Sequence, residues 1–133
     1  MDNIYSGEER RGHKRVPVNF IIRYHIRKPL EVVMLIGNME VNAVMIDLCE
    51  SGMSLITDYD IPVGTELSLK FTLVNTYTWD QSRRNKVIEV LGCVADVIPI
   101  GKSNRLGISF TELSKQHAVI IADFVKLVFQ SPA

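Results

Sequence analysis

Three arginines stand close together near the amino terminus, in the segment ERRGHKR at residues 9–15. They are Arg10, Arg11 and Arg15. A guanidinium group grips phosphate oxygens with a two-pronged fork, stacks on purine rings and reaches the O6 and N7 edge of guanine. The cluster therefore suits a guanine nucleotide. A short basic run is also typical of a solvated tail, so the cluster alone does not decide between the two interpretations.

A second segment, IDLCESG at residues 46–52, has the pattern of an acidic turn. Asp47 stands at its head and Gly52 at its foot. In a structural interpretation, Asp47 accepts hydrogen bonds from its own backbone and Gly52 supplies a positive φ angle. In a functional interpretation, the carboxylate accepts the N1–H and N2–H donors of a guanine edge. The second interpretation would pair an arginine arm with a guanine-reading turn.

The charge balance limits the ligands that the chain could attract. Its 133 residues include 15 lysines and arginines and 15 aspartates and glutamates, which gives a net charge of zero. A neutral chain has no global field that would draw it to nucleic acid or to an anionic membrane. The first 28 residues nevertheless carry seven basic and three acidic residues. We therefore expect an anion to bind at the amino-terminal end.

Catalytic and metal sites find little support in the sequence. The two cysteines are too few for a disulfide scaffold, and the three histidines lack metal-ligand spacing. No glycine-rich phosphate loop, nucleophile elbow or pair of catalytic carboxylates is recognisable, so we expect neither an enzyme nor a cofactor. No apolar run approaches the roughly 20 residues that span a bilayer, and the first residues lack a secretory signal. The sequence thus favours a cytoplasmic protein.

Alternation of apolar and polar residues predicts several strands. The clearest cases are residues 18–26 and 67–73, where every second residue is apolar. Further β-rich segments are residues 30–36, 41–48, 53–57, 87–98 and 106–110. Turns are predicted at Gly37 and Asn38, at residues 58–64 and at residues 99–104. The polar segment at residues 75–86, which contains Trp79, is interpreted as a long hairpin tip.

A helix is predicted at the carboxyl end. Ser114 is a suitable cap, and apolar residues follow it at helical spacing: Ile120, Ile121, Phe124, Leu127 and Val128. We expect this stripe to pack on the core, although it could instead meet a partner chain. The pattern as a whole predicts one domain, an antiparallel β-barrel or sandwich with a terminal helix.

The two segments together resemble the PilZ domain family. RRGHKR matches the RRxxxR pattern and DLCESG matches the (D/N)xSxxG pattern except at Cys49, in the expected order and distance. RVPVNF, IPVGTELSLKF and RLGISF with the following ELSKQHAVIIADFVKLV are also similar to this family, so the resemblance runs from Glu9 to near the end of the chain. It implies a six- or seven-stranded antiparallel β-barrel with a C-terminal helix at residues 15–133, preceded by a flexible arm at residues 1–14.

The resemblance further implies a cyclic di-GMP receptor. The arginines would wrap the phosphates and guanines, and the acidic turn would shape and read the guanine. An arginine directly before the RxxxR pattern, here Arg10, accompanies in this family the capture of two intercalated ligand molecules. Ligand binding would order the arm over the barrel of a monomer or weak dimer, and an unidentified partner protein would recognise the closed form. The implied ligand-binding residues are Arg10, Arg11, Arg15, Asp47, Cys49 and Gly52.

Cys49 departs from the family pattern, which usually has serine at this position. A thiol is a weak hydrogen-bond donor and acceptor. Loss of one neutral hydrogen bond costs about 1 kcal/mol, whereas each charge-assisted arginine contact contributes about 1.5 to 3 kcal/mol. We therefore expect weaker binding that nevertheless persists, and no loss at all if Cys49 points into the barrel.

Two alternatives stay open. A PilZ-like module without ligand could serve pilus or flagellar assembly through its surface alone, although such members usually lack the arginines. A barrel can also bind single-stranded nucleic acid, for which Trp79, Arg83 and Arg84 in the polar hairpin are the supporting residues. The zero net charge argues against this nucleic-acid-binding interpretation.

Overall fold

The computed structural model describes residues 15–74 and 85–130, which form six strands and two helices. The arm at residues 1–14 and most of the predicted hairpin tip, residues 75–84, lie outside the described residues. In chain order the elements are β1 (Val16–Lys28), α1 (Leu30–Ile36), β2 (Val41–Cys49), β3 (Gly52–Thr57), β4 (Glu66–Val74), β5 (Asn85–Ile100), β6 (Ser103–Glu112) and α2 (Lys115–Gln130).

The strands close into one antiparallel barrel in the order β1-β2-β3-β6-β5-β4. The long strand β1 closes the barrel, because it pairs with β2 on one side and with β4 on the other. All neighbouring pairs are antiparallel. The fold expected from the alternating sequence pattern, an antiparallel barrel followed by a terminal helix, is confirmed.

Alternation along the strands fills the barrel interior. On β1, the side chains of Ile22, Tyr24 and Ile26 are buried, and on β4 those of Leu67, Leu69, Phe71 and Leu73 are buried with them. Burial of one such side chain stabilises the fold by about 1.5 to 3 kcal/mol. Because successive side chains of a strand point to opposite faces, the intervening positions lie on the outer surface of the barrel.

Tyr24 brings a hydroxyl group into this core. Its Oη lies 2.7 Å from Oγ1 of Thr57, at the end of β3, and both residues are buried. Burial raises the pKa of Tyr24 to about 12, with the charges of Tyr59 and Asp58 adding to the effect, while the hydrogen bond to Thr57 acts in the opposite direction. The pair is thus held in its neutral, hydrogen-bonded form.

The carboxyl-terminal helix α2 packs on the barrel. The backbone N–H of His117 donates to Oγ of Ser114 at 3.1 Å, so the predicted cap is confirmed. Ile121, Phe124 and Val125 are buried, and the Phe124 ring lies 5.8 Å from that of Phe20 on β1. Four residues of the predicted stripe, Ile120, Ile121, Phe124 and Val128, pack on the core as predicted, whereas Leu127 is 38% exposed.

The strand predicted at residues 30–36 is wrong, since these residues form helix α1. The segment LEVVMLI has no period-two alternation, because six of its seven residues are apolar. Pro29 in an extended conformation precedes the helix, and Gly37 with φ of 115° follows it. Both residue types punctuate helices at these positions. Only Val32 of α1 is buried, which the β-branched composition does not reveal.

Two turn boundaries also differ from the prediction. β5 continues through Pro99 and Ile100, so the β5–β6 turn is confined to Gly101 and Lys102. Asn85 and Lys86, predicted as part of the hairpin tip, already pair with β4.

No helix in the described ranges 15–74 and 85–130 has both the length and the hydropathy needed to cross a lipid bilayer.

Candidate ligand-binding site

The two segments singled out in the sequence meet where β1 begins and β2 ends. Arg15 directly precedes β1, and Pro17 of β1 pairs with Asp47 of β2. Nη1 of Arg15 lies 3.5 Å from Oδ2 of Asp47, and the two side chains are 19% and 14% exposed. Antiparallel pairing thus places a guanidinium of the first segment against the carboxylate of the second, although 32 residues separate them.

These side chains lie on the outer face of the barrel. Leu48 is fully buried and pairs with Val16 and Met53, which are also core residues. Since side chains alternate along a strand, its neighbours Asp47 and Cys49 lie on the opposite face. The site is therefore a patch on the outside of the sheet and not a cavity inside the barrel.

Ser54 and Arg105 complete the cluster. Nη2 of Arg105 lies 3.1 Å from Oδ2 of Asp47, and Nη1 of Arg15 donates to Oγ of Ser54 at 3.4 Å. Sequence reasoning missed both residues. Arg105 is 58 positions from Asp47 and reaches it only because β6 pairs with β3, which pairs with β2. The available signal was a charged residue at the head of the RLGISF strand.

The two oxygens of the Asp47 carboxylate differ in their contacts. Oδ2 carries both guanidinium contacts. Oδ1 is buried and has no hydrogen-bond partner among residues 15–74 and 85–130. An unsatisfied buried acceptor costs about 1 to 3 kcal/mol, so this oxygen gains from any donor brought to it. A guanine edge presents N–H donors suited to such an oxygen.

Gly52 is required by a close approach of two strands. A Cβ atom on Gly52 would collide with the carbonyl oxygen of Ile108 on β6. Its φ is not positive, so the predicted role of supplying a positive φ is wrong. The missing side chain instead lets β6 pair closely with the turn that follows Asp47, which brings Arg105 within reach.

Cys49 lies on the same outer face as Asp47, yet its side chain is covered. The residue is 2% exposed, and Sγ lies 3.4 Å from Oγ of Ser51. The side chain is therefore covered at the end of β2, in contact with the Ser51 hydroxyl. The nearby Ser51 hydroxyl stands within the same turn as the thiol.

Arg10 and Arg11 lie outside the described residues. Of the six residues expected to bind ligand, the structure brings together Arg15, Asp47, Cys49 and Gly52 at one end of the β1–β2 pair. Within the described ranges, no group of three or more histidine, cysteine, aspartate or glutamate side chains is arranged to hold a metal ion.

Three solved structures have a similar fold. The PilZ domain with c-di-GMP of YcgR from Escherichia coli aligns with a TM-score of 0.59 at 14% identity, over 91% of this chain and 92% of that one. The PilZ domain of CeSA from a cellulose-synthesizing bacterium aligns with a TM-score of 0.57 at 12% identity, over 88% and 99%. The inhibitor of motility MotI/DgrA from Bacillus subtilis gives 0.63 at 11% identity, over 89% of this chain.

This chain spans about half of MotI/DgrA, 49% of its length. At these identities the three structures bear on the fold alone. No curated protein matches the sequence significantly. The sequence profile of the PilZ domain, in contrast, matches residues 9–130, which includes both segments of the site and both described helices. The chain belongs to the PilZ domain family.

Proposed function

We propose that this chain is a non-catalytic receptor for cyclic di-GMP. The observation that carries the proposal is the contact of Arg15 with Asp47 on the outer face of the barrel, where the arginine segment joins β1. A neighbour of the same fold, the PilZ domain of YcgR, has been solved with c-di-GMP, which supports this choice of ligand. The site combines cationic forks for phosphate with a carboxylate for guanine.

Asp47 would read the guanine through Oδ1, once movement of the covering groups on ligand binding exposes this buried oxygen. This oxygen has no partner among the described residues, and a guanine offers N1–H and N2–H on one edge. Adenine presents no such pair of donors on the corresponding edge. The proposal therefore includes selectivity for cyclic di-GMP over cyclic di-AMP.

Arg10 and Arg11 would supply the remaining contacts to the phosphates and bases. They stand five and four residues before Arg15, so their Cα atoms can extend at most roughly 17 Å from it. That reach is comparable with the length of a dinucleotide. Closure of residues 1–14 over the ligand would create a new surface, which a downstream protein recognises. Arg10, before the RxxxR pattern, favours two ligand molecules per chain.

Calorimetric titration tests the proposal directly. Cyclic di-GMP and cyclic di-AMP are titrated into the wild type, Arg11→Ala and Asp47→Ala. We expect saturable binding of cyclic di-GMP to the wild type, with a stoichiometry near two. Arg11→Ala should weaken binding about tenfold or more, because a charge-assisted contact is lost. Asp47→Ala should reduce the preference for cyclic di-GMP over cyclic di-AMP.

Arg23→Ala is the matched control. Arg23 also lies on the outer face of β1, but it pairs with Glu40 at 3.7 Å, eight residues along the strand from Arg15. Its removal should leave the affinity unchanged. A wild type that gives no heat with cyclic di-GMP would overturn the proposal and favour the assembly module. Equal binding of both dinucleotides would contradict the guanine-reading role of Asp47.

A further inference from the structure

Asp47 shares one carboxylate oxygen between two arginines that are held differently. Nη2 of Arg105 lies 3.1 Å from Oδ2, within the usual range for an N–H···O hydrogen bond. Arg15 lies 3.5 Å from the same oxygen and 3.4 Å from Oγ of Ser54, and both distances are longer than that range. The contact of Arg105 with Asp47 is thus shorter than either contact of Arg15.

The backbones of the two arginines also differ in restraint. Arg105 lies within β6, with Ile56 of β3 on one side and Ile98 of β5 on the other. Arg15 precedes the first residue of β1 and joins residues 1–14 to the barrel. The backbone of Arg105 is therefore held by strand pairing on both sides, whereas that of Arg15 lies outside the strand pairing.

The difference between the two arginines matters because Asp47 is charged and needs a counter-ion. The side chain is only 14% exposed, and a mostly buried carboxylate that loses its counter-ion is strongly destabilised. If Arg15 leaves Oδ2 to grip a ligand phosphate, Asp47 needs another cation in contact. Arg105 already occupies that position, and its side chain is 35% exposed.

We propose that Arg105 is a positioning residue of the ligand site: it is the permanent counter-ion of Asp47, and it frees Arg15 to exchange between Asp47 and the ligand. This inference rests on the proposed cyclic di-GMP function. Arg105 holds Oδ2, so Oδ1 has no partner among the described residues. In the ligand-free protein Arg15 rests on Asp47 and Ser54; in the bound state it contacts the ligand, while the Arg105–Asp47 pair stays intact.

The test is calorimetric titration of cyclic di-GMP into the wild type, Arg105→Ala, Arg105→Lys and the control Arg23→Ala. Without Arg105, Arg15 remains tied to Asp47, so Arg105→Ala should weaken binding about tenfold. Arg105→Lys keeps the charge but lacks the fork, and its loss should be smaller. Arg23→Ala should bind like the wild type. Arg105→Gln replaces Arg105→Ala if the alanine variant does not fold.

The double variant Asp47→Asn, Arg105→Ala separates positioning from direct ligand contact. If Arg105 acts through Asp47, the double variant should bind no more weakly than Asp47→Asn alone. If the two losses add, Arg105 touches the ligand itself and the positioning role is wrong. Binding by Arg105→Ala as tight as that of the wild type would also overturn the inference. A wild type that does not bind would instead refute the proposed function.

Discussion

Gly52 illustrates how one missing side chain supports the candidate site. Its position is set by the carbonyl oxygen of Ile108, which occupies the space that a Cβ would need. The same approach pairs Gly52 with Ser109, so that the β6 strand bearing Arg105 runs directly beside β3. The site requires glycine at this position because it has no side chain, and not because of its backbone freedom.

Gly52→Ala should therefore destabilise the fold. The added methyl must displace backbone and not a flexible side chain, and overpacking of this kind costs about 1 to 3 kcal/mol. Denaturant unfolding measures the change. Gly101→Asn is the control, because Gly101 has φ of 59° with open space around it, a conformation that asparagine tolerates. Equal stability of Gly52→Ala and the wild type would contradict the close-approach explanation.

Cys49→Ser should tighten cyclic di-GMP binding modestly if ligand binding uncovers this side chain, which is 2% exposed. Cys49 lies on the same outer face as Asp47, and a hydroxyl restores a hydrogen bond of about 1 kcal/mol that the thiol makes poorly. Calorimetry with Cys93→Ser as control measures this effect, since Cys93 lies on β5, three strands away from β2 in the barrel order. An unchanged affinity of Cys49→Ser would show that the covered thiol does not face the ligand.

Tyr24 gives the barrel a dependence on alkaline pH. The pKa of Tyr24 is raised to about 12 in the folded chain from 10.0. Between these pH values the unfolded chain loses the proton while the folded chain keeps it, so stability is fully present below pH 10 and is lost as the pH rises toward 12. Two pKa units correspond to about 2.7 kcal/mol.

Denaturant unfolding across the alkaline range, with Tyr24→Phe for comparison, tests this. The variant should lose about 0.5 to 1.5 kcal/mol at neutral pH, because the Tyr24–Thr57 hydrogen bond is removed while Oγ1 of Thr57 still accepts from the backbone N–H of Tyr59. Its stability should then fall less steeply at high pH than that of the wild type. Parallel alkaline curves for the two proteins would refute the assignment to Tyr24.

Helix α1 is an element that the local sequence pattern did not predict correctly. Its seven residues are almost all apolar, yet Leu30, Met34 and Leu35 are 67%, 77% and 85% exposed. A continuous apolar run fits a buried strand or a helix equally well, and only the turn residues on either side distinguish them. Val32 faces the barrel and anchors the helix.

Truncation of α1 side chains should separate these two faces. Val32→Ala removes buried methyl groups and should destabilise the fold by about 1 to 3 kcal/mol. Leu35→Ala removes an exposed side chain and should change the stability by less than about 0.5 kcal/mol. Denaturant unfolding of both variants measures the difference. Similar losses for the two would contradict the helix orientation.

The strands and the carboxyl-terminal helix could be predicted because their signals are local. Alternation identified β1 and β4, and Ser114 with the apolar stripe identified α2. The proximity of Arg15 and Asp47 followed from the family resemblance. The contribution of Arg105 could not be predicted, since it depends on the registers of β2 with β3 and of β3 with β6, which no local pattern specifies.

Barrel closure ties the candidate site to global stability. Arg15 precedes β1, Asp47 lies on β2 and Arg105 on β6, and the order of the closed sheet joins these strands through β3. When the barrel opens, the three side chains separate together. The site therefore exists only in the folded barrel, and a ligand that binds there stabilises the fold by linkage.

Cyclic di-GMP at a hundred times its Kd should accordingly raise the free energy of unfolding by about 2.7 kcal/mol for each ligand molecule bound. For a chain of 133 residues this corresponds to an increase in Tm on the order of 10 °C. Arg11→Ala, if it binds tenfold more weakly, should gain only about 1.4 kcal/mol for each ligand molecule at the same ligand concentration. Thermal unfolding with and without ligand measures both values. Calorimetric binding without any rise in Tm would mean that residues 1–14 hold the ligand alone, without the barrel.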